Sequence, residues 1–217
     1  MSRREGGLKE VKARADMYAF LSSLFLSEPE EGQVKGLREI FRILKMPHLN
    51  SFTLEELKRE YFDLFVIPNP RYVRPYESVF MDRIPIEFAG IPEQGVPPAT
   101  KYIKGLLMGE SARGVIKFYQ QEGVYPEREL PDHIGNELSF LAYLVIRESE
   151  SSGDETIRFR KLQEDFKKRH VLRWIGRLGK IVAKHDKIGY YKNAVSVTHI
   201  LLNGFNFSEK SMSDNIV

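Results

Sequence analysis

Glu129-Leu-Pro-Asp-His-Ile-Gly-Asn-Glu137 leads directly into Leu138-Ser-Phe-Leu-Ala-Tyr-Leu-Val-Ile-Arg-Glu-Ser149. The reading of these residues decides the fold. They form one long helix from about Pro131 to Ser149, since proline is tolerated in a helix's first turn, where its missing N–H would be unpaired anyway. Four ionisable residues crowd the start of that helix: Glu129, Asp132, His133 and Glu137. The partial positive charge of a helix N-terminus favours carboxylates there.

Working outward, the neighbouring segments are also amphipathic helices. Downstream, Ser151-Ser-Gly-Asp154 breaks the chain, Thr156–Lys184 reads as two helices, and Tyr190–Phe205 as the last. Upstream, the expected helices are Ala99–Met108 and Ser111–Glu122. Near the start, Leu8, Val11, Ala15, Tyr18, Leu21, Leu24 and Phe25 step at three and four until Pro29, and Val34–Leu44 repeats that spacing up to Pro47. Thr53-Leu-Glu-Glu56 is a capping box. It opens a helix whose buried face is Leu54, Leu57, Tyr61, Leu64 and Phe65.

Between these groups, residues 66–98 hold seven of the eleven prolines. Helix interiors exclude proline, and so long a stretch in a compact chain suits a binding loop or an inter-lobe connection. Phe80, Met81, Ile84, Ile86 and Phe88 give it apolar anchors that a flexible tether would lack. Strand alternation is nowhere sustained. The expected fold is all-α: a bundle of about nine to eleven helices within one domain, 1–205. Its N-terminal lobe spans 8–66, its proline-rich connection 67–98 and its C-terminal lobe 99–205, with a polar tail at 206–217.

Composition excludes several function classes. The chain has 217 residues, 42% of them hydrophobic and 29% charged, the balance of an ordinary folded protein. It contains no cysteine, which removes thiol nucleophiles, disulfides, thiolate zinc sites and cysteine-ligated iron–sulfur clusters. No run reaches the ~20 apolar residues of a membrane span. Arg3-Arg4 precede an apolar stretch of only about ten residues with no small-residue cleavage pattern, so a secretory signal is not expected. The expected location is the cytoplasm.

Three clusters could carry chemistry. At Glu129–Glu137, His133 and Glu137 are spaced i,i+4, so a metal-dependent hydrolase using Asp132, His133 and Glu137 is one reading, and a capped helix start with His133 held by a carboxylate is the other. Paired Glu-x-x-His, His-Glu-x-x-His and Gly-x-Ser-x-Gly motifs are all absent. The second cluster, Arg71-Tyr-Val-Arg-Pro-Tyr-Glu-Ser78, lies in the proline-rich segment and suits gripping a peptide. The third, Phe166-Lys-Lys-Arg-His-Val-Leu-Arg-Trp174, lies on a basic helix pair. Residues 154–187 carry eleven Lys/Arg against five Asp/Glu, which leaves a nucleic-acid-binding regulator acting through 158–187 as a further alternative. Residues 122–150 are the opposite, with seven acids against two arginines. No phosphate-loop or Gly-x-Gly-x-x-Gly motif supports nucleotide binding.

At these clusters the sequence resembles the TorD/DmsD/NarJ family of redox-enzyme maturation chaperones. The resemblance rests on Glu129-x-Pro-Asp-His-Ile-x-x-Glu137-Leu138-x-Phe140, with Tyr61-x-x-Leu64-Phe65 and Pro75-Tyr76-Glu77-Ser78-Val79 upstream. Tyr119 and Gly123 fit a Tyr-x3-Gly pattern, and His170-x3-Trp174 and Tyr190-Tyr191 match the last helices. It covers about residues 10–205. Leu141, Val171 and Tyr190 stand where Met, Leu and Phe are usual, mild swaps that bear on client choice more than on membership.

The resemblance implies a non-enzymatic cytoplasmic chaperone with no catalytic residue, bound metal or cofactor. Weak guanine-nucleotide binding is known in the family. The implied partners are the catalytic subunit of a molybdenum or tungsten oxidoreductase and its N-terminal leader, often of twin-arginine type, held until cofactor insertion is complete. No nucleic acid or membrane insertion is implied, and the state is a monomer or a lobe-swapped dimer. Pro75, Tyr76, Glu77, Ser78, Asp132 and His133 are the implied binding positions. The residue chemistry adds an expectation: Glu129, Asp132, Glu137 and Glu77 receive the leader's arginines, while Tyr76, Tyr61 and Phe65 take its apolar segment.

Overall fold

The computed structural model describes residues 2–46, 49–85 and 102–204. Helix α1 (Ser2–Leu26) buries Ala15, Tyr18, Leu21, Leu24 and Phe25 on one face, as their three-and-four spacing requires. That face lies along α6 (Ile134–Glu150), far away in sequence. The approach is close because position 135 is a glycine. A Cβ there would fall 2.4 Å from Leu26 Cγ, and Ser22 Oγ donates to the Gly135 carbonyl at 2.7 Å.

Helix α2 (Glu31–Leu44) stops at Lys45, which takes a left-handed backbone with φ 54°. Pro47, which the sequence reading used as the stop, lies outside the described residues. Helix α3 (Leu54–Tyr61) opens on the expected capping box: Glu56 N–H donates to Thr53 Oγ1 at 3.2 Å, and Thr53 N–H donates to Glu56 Oε2 at 2.8 Å. Its continuation, Phe62–Val66, widens into a π-helical turn that keeps Leu64 and Phe65 inside.

The proline-rich segment holds a short helix, α4 (Glu77–Met81), followed by strand β1 (Arg83–Pro85). Here the sequence reading needs correcting. The expected helix at Ala99–Met108 is not formed where the structure describes it: Tyr102–Lys104 is a strand, β2, that pairs antiparallel with β1, Ile84 opposite Ile103, and 105–108 form a loop. Three-residue strands are too short to show alternation, and Gly105 (φ 77°) and Met108 (φ 59°) hold backbone angles that no helix contains. Residues 99–101 are outside the described set.

Helices α5 (Glu110–Gln121), α7 (Asp154–Arg169), α8 (Val171–His185) and α9 (Tyr190–Leu202) complete the described chain. Phe205, expected at the end of α9, is not among the described residues. Helix α6 begins at Ile134, three residues later than the proline suggested. The break between α7 and α8 falls at His170 (φ −123°, ψ −93°), which turns its side chain inward. The fold is all-α but for the small β1–β2 ribbon. One continuous apolar cluster joins Phe25, Phe41, Leu64, Leu138, Trp174 and Tyr191, all buried.

Candidate functional site

The proline-rich segment and the start of α6 are stitched together over four residues. Ile134 N–H donates to the Pro75 carbonyl and Glu77 N–H to the Asp132 carbonyl, each at 2.9 Å, which makes Tyr76 and His133 bridge partners. The Asp132 side chain then accepts from Ser78 N–H at 2.8 Å, satisfying an orphan donor in the first turn of α4. His133 caps α6, its Nδ1 accepting from Gly135 N–H at 3.1 Å. Its ring packs edge-on to Tyr76, centroids 5.1 Å apart. Burial drops the His133 pKa from 6.5 to about 3, so the imidazole is neutral, as an accepting cap must be. The expected carboxylate holding His133 is replaced by this backbone contact.

Glu129 stands in front of this joint on the surface. It occupies the left-handed region (φ 57°), a conformation that costs energy for a residue with a Cβ. Asn136 holds it there, its amide donating to the Arg128 carbonyl at 2.7 Å and the Leu130 carbonyl at 2.8 Å. The carboxylate accepts from the Tyr76 hydroxyl at 2.6 Å. Partial burial, then that hydrogen bond and the glutamate's charge, push the Tyr76 hydroxyl pKa well up, so it remains a donor. The loop residues just before Glu129 border a mainly apolar cleft of about 370 Å³, lined among others by Leu26, Tyr125, Glu127, Arg128, Phe140 and Tyr143.

Beneath the joint lies a layer of buried charge. Glu77, Glu137 and His170 are fully or nearly inaccessible, and one ligand atom from each lies within 4.8 Å of the others. Among the described residues this is the one set of three acidic or histidine side chains close enough to share a cation. His170 Nδ1 is 2.7 Å from Glu77 Oε2, Trp174 Nε1–H donates to Glu137 Oε2 at 3.1 Å, and Arg173 Nη1 lies 3.7 Å from Glu77 Oε1. These are hydrogen-bond and ion-pair contacts. Burial, reinforced by the charge of Glu77, raises the Glu137 pKa far above the usual glutamate range, so it stands as a neutral acid. The set suggested by sequence spacing, Asp132, His133 and Glu137, does not converge in this way: Asp132 and His133 are turned to the two helix starts.

The structure thus gathers Pro75, Tyr76, Glu77, Ser78, Glu129, Asp132, His133 and Glu137 into one region. Glu77, Ser78, Asp132 and Glu137 are fully buried, whereas Glu129 is exposed and Tyr76 partly so. Tyr61 and Phe65 sit behind it, in an aromatic knot with Phe25 and Tyr191; Phe65 meets Tyr191 edge-on at 4.9 Å. The acidity of 122–150 is largely spent internally. Glu122 pairs with Arg158, Glu148 with Arg14 and Arg160, and Glu150 with Arg147. His170 is the member of the buried layer that the site reading left out. Its i,i+4 spacing to Trp174 is the available signal, since His170 contacts Glu77 and Trp174 contacts Glu137 within one buried layer.

The joint, the exposed Glu129 rim and the buried ionisable layer beneath them define a mainly helical protein whose loop and long helix are locked into one platform. The family profile described as nitrate reductase delta subunit matches residues 26–179. The chain belongs to that family, the TorD/NarJ-type redox-enzyme maturation chaperones. Among its relatives, the TorD chaperone protein of Vibrio cholerae serotype O1 is 24% identical over 207 residues, covering 83% of this chain and 84% of the relative. TorD of Colwellia psychrerythraea is 26% identical, covering 84% and 86%. A crystal structure described as a redox enzyme maturation protein from Archaeoglobus fulgidus shares the fold, with TM-score 0.50, 24% identity, and coverage of 88% of this chain and 93% of that one. No helix among the described residues is long and apolar enough to cross a membrane.

Proposed function

We propose that this protein is a cytoplasmic, non-catalytic maturation chaperone that binds the N-terminal leader of a molybdenum or tungsten oxidoreductase catalytic subunit and retains the apo-subunit until its cofactor is inserted. The observation that carries the reading is the Glu129 rim: an exposed carboxylate held in a strained backbone by Asn136, against Tyr76 and beside an apolar cleft. Strain retained at a surface residue is characteristic of binding sites. Glu129 and Glu127 take the leader's arginines through charge-assisted bonds, and the cleft takes its apolar segment. Pro75, Glu77, Ser78, Asp132, His133 and Glu137 act from below as the frame that fixes Tyr76 and Glu129, with Tyr61 and Phe65 anchoring that frame to the core.

A leader that orders on binding loses entropy, so its affinity is moderate and release is possible. The test is calorimetric titration of a synthetic twin-arginine leader peptide into the wild-type chain and a Glu127→Gln/Glu129→Gln variant. Removing both carboxylates is expected to weaken binding by more than about tenfold, the loss of two charge-assisted contacts. Equal affinity for the two chains would overturn the assignment.

A further inference from the structure

A second recognition surface lies on the opposite chemical footing, around the β1–β2 ribbon. Between the ribbon, α5 and the junction of α7 with α8 runs a groove of about 1250 Å³. That exceeds the roughly 300–1,000 Å³ of small-molecule pockets and suits a length of polypeptide. Leu107 and Met108 stand on its edge, each 43% exposed, and Phe118 and Leu162 line it. The edge is shaped rather than loose. Gly105 (φ 77°) and Met108 (φ 59°) both take left-handed angles. Gly109 approaches Asp82 so closely that a Cβ would fall 2.1 Å from Oδ2. Asp82 in turn accepts from Ser111 N–H at 3.0 Å and Ser111 Oγ–H at 2.5 Å, pinning the start of α5 to the ribbon. Displaying two apolar side chains on a strained, pinned turn is an arrangement that folding alone does not call for.

The charge around this groove is basic on balance, six arginines and lysines against Asp82, Glu110 and Asp165. Arg83, Arg113, Lys117 and Lys168 all line it, all are exposed, and among the described residues none has a carboxylate within ion-pair distance. A basic leader would be repelled here, whereas Glu129 attracts it. We infer that this groove docks an acidic, apolar segment of a partner protein, with Leu107 and Met108 against its apolar side chains and the four cations around its carboxylates. The lining favours polypeptide over nucleic acid: the exposed apolar residues of the edge are aliphatic, and among the described residues no exposed aromatic ring lines the groove as a stacking platform for bases. The inference does not depend on the leader reading, because the two surfaces share no residue.

The probe is a fluorescein-labelled amphipathic peptide of Glu and Leu, with its Lys-and-Leu counterpart as control, followed by anisotropy on the full chain. The Glu peptide is expected to bind more tightly than the Lys peptide, and more weakly as salt rises. An Arg113→Glu/Lys117→Glu/Lys168→Glu chain is expected to lose roughly tenfold in affinity, and Leu107→Ser/Met108→Ser to lose a similar factor. Both variants should keep the wild-type urea midpoint followed by Trp174 emission, a readout that reports a correctly folded chain. Equal binding of the Glu and Lys peptides, or unchanged binding by both variants, overturns the groove assignment while leaving the Glu129 reading standing. A single-stranded oligonucleotide that displaces the Glu peptide, with Leu107→Ser/Met108→Ser having no effect, overturns it in favour of nucleic acid.

Discussion

Asp132 Oδ2 accepts a hydrogen bond from the backbone N–H of Ser78 at 2.8 Å, although 54 residues separate them. The contact is buried and ties the first turn of α4 to the residue preceding the His133 cap of α6. Removing the acceptor strands a buried donor, which costs more than a hydrogen bond contributes when made. Asp132→Ala is expected to lose about 1–3 kcal/mol of unfolding free energy. Asp132→Asn keeps an acceptor oxygen and should lose less. Urea denaturation of both variants measures the difference, and equal losses would show that the Ser78 contact carries no weight.

Glu137 makes stability depend on pH above the ordinary glutamate range. Its folded pKa is raised, first by burial and then by the charge of Glu77, from an ordinary value of 4.5. The folded state therefore holds a proton that the unfolded state releases above that value. This contribution is complete below pH 4.5 and is lost progressively as pH rises toward the folded pKa. Glu137→Gln keeps the Trp174 acceptor and has no proton to lose. Its stability relative to wild type should climb as pH rises above 4.5, as read from denaturation midpoints.

His133 acts in the opposite sense on the acid side. Burial lowers its pKa from 6.5 to about 3, so below pH 6.5 the unfolded chain binds a proton that the folded chain refuses. Stability drains away as pH falls through the window between those values. His133→Asn offers an equally good cap with no titration. Its denaturation midpoint should fall less than that of wild type between pH 6.5 and pH 4, and a parallel fall in the two chains would contradict the neutral-cap assignment.

Phe65 lies at the centre of the aromatic knot, in contact with Phe25, Tyr61 and Tyr191. Phe65→Ala leaves a cavity that these rings cannot close, and is expected to cost about 3–5 kcal/mol. Trp174 is the chain's one tryptophan and is fully buried, so its emission reports the global transition. It should be blue-shifted in the wild type and shift to the red at a lower urea concentration in the variant.

The helices were readable because their apolar residues recur at helical spacing and their ends carry local signals, such as Thr53 with Glu56. The ribbon was not, because three-residue strands leave no period to detect and their pairing depends on Ile84 meeting Ile103 across the chain. In the site, the residue identities were legible from Pro75–Ser78 and Asp132–His133, but their exposure was not. Counting charges along 122–150 suggested an open acidic pocket, whereas the paired arginines come from α1, α6 and α7, and three of them lie outside the stretch. Only folding shows that Glu129 is left at the surface while Glu77, Asp132 and Glu137 are inside.

The pairing of α1 with α6 bears on how the protein is made. Ser22 finds its acceptor at Gly135, 113 residues further on, and at a synthesis rate of ~5–20 residues per second that partner follows roughly 6–23 s later. Through that interval the nascent first helix presents Tyr18, Leu21, Leu24 and Phe25 with no α6 to cover them. While it is still on the ribosome, this member of a chaperone family passes through the exposed state from which chaperones protect their clients.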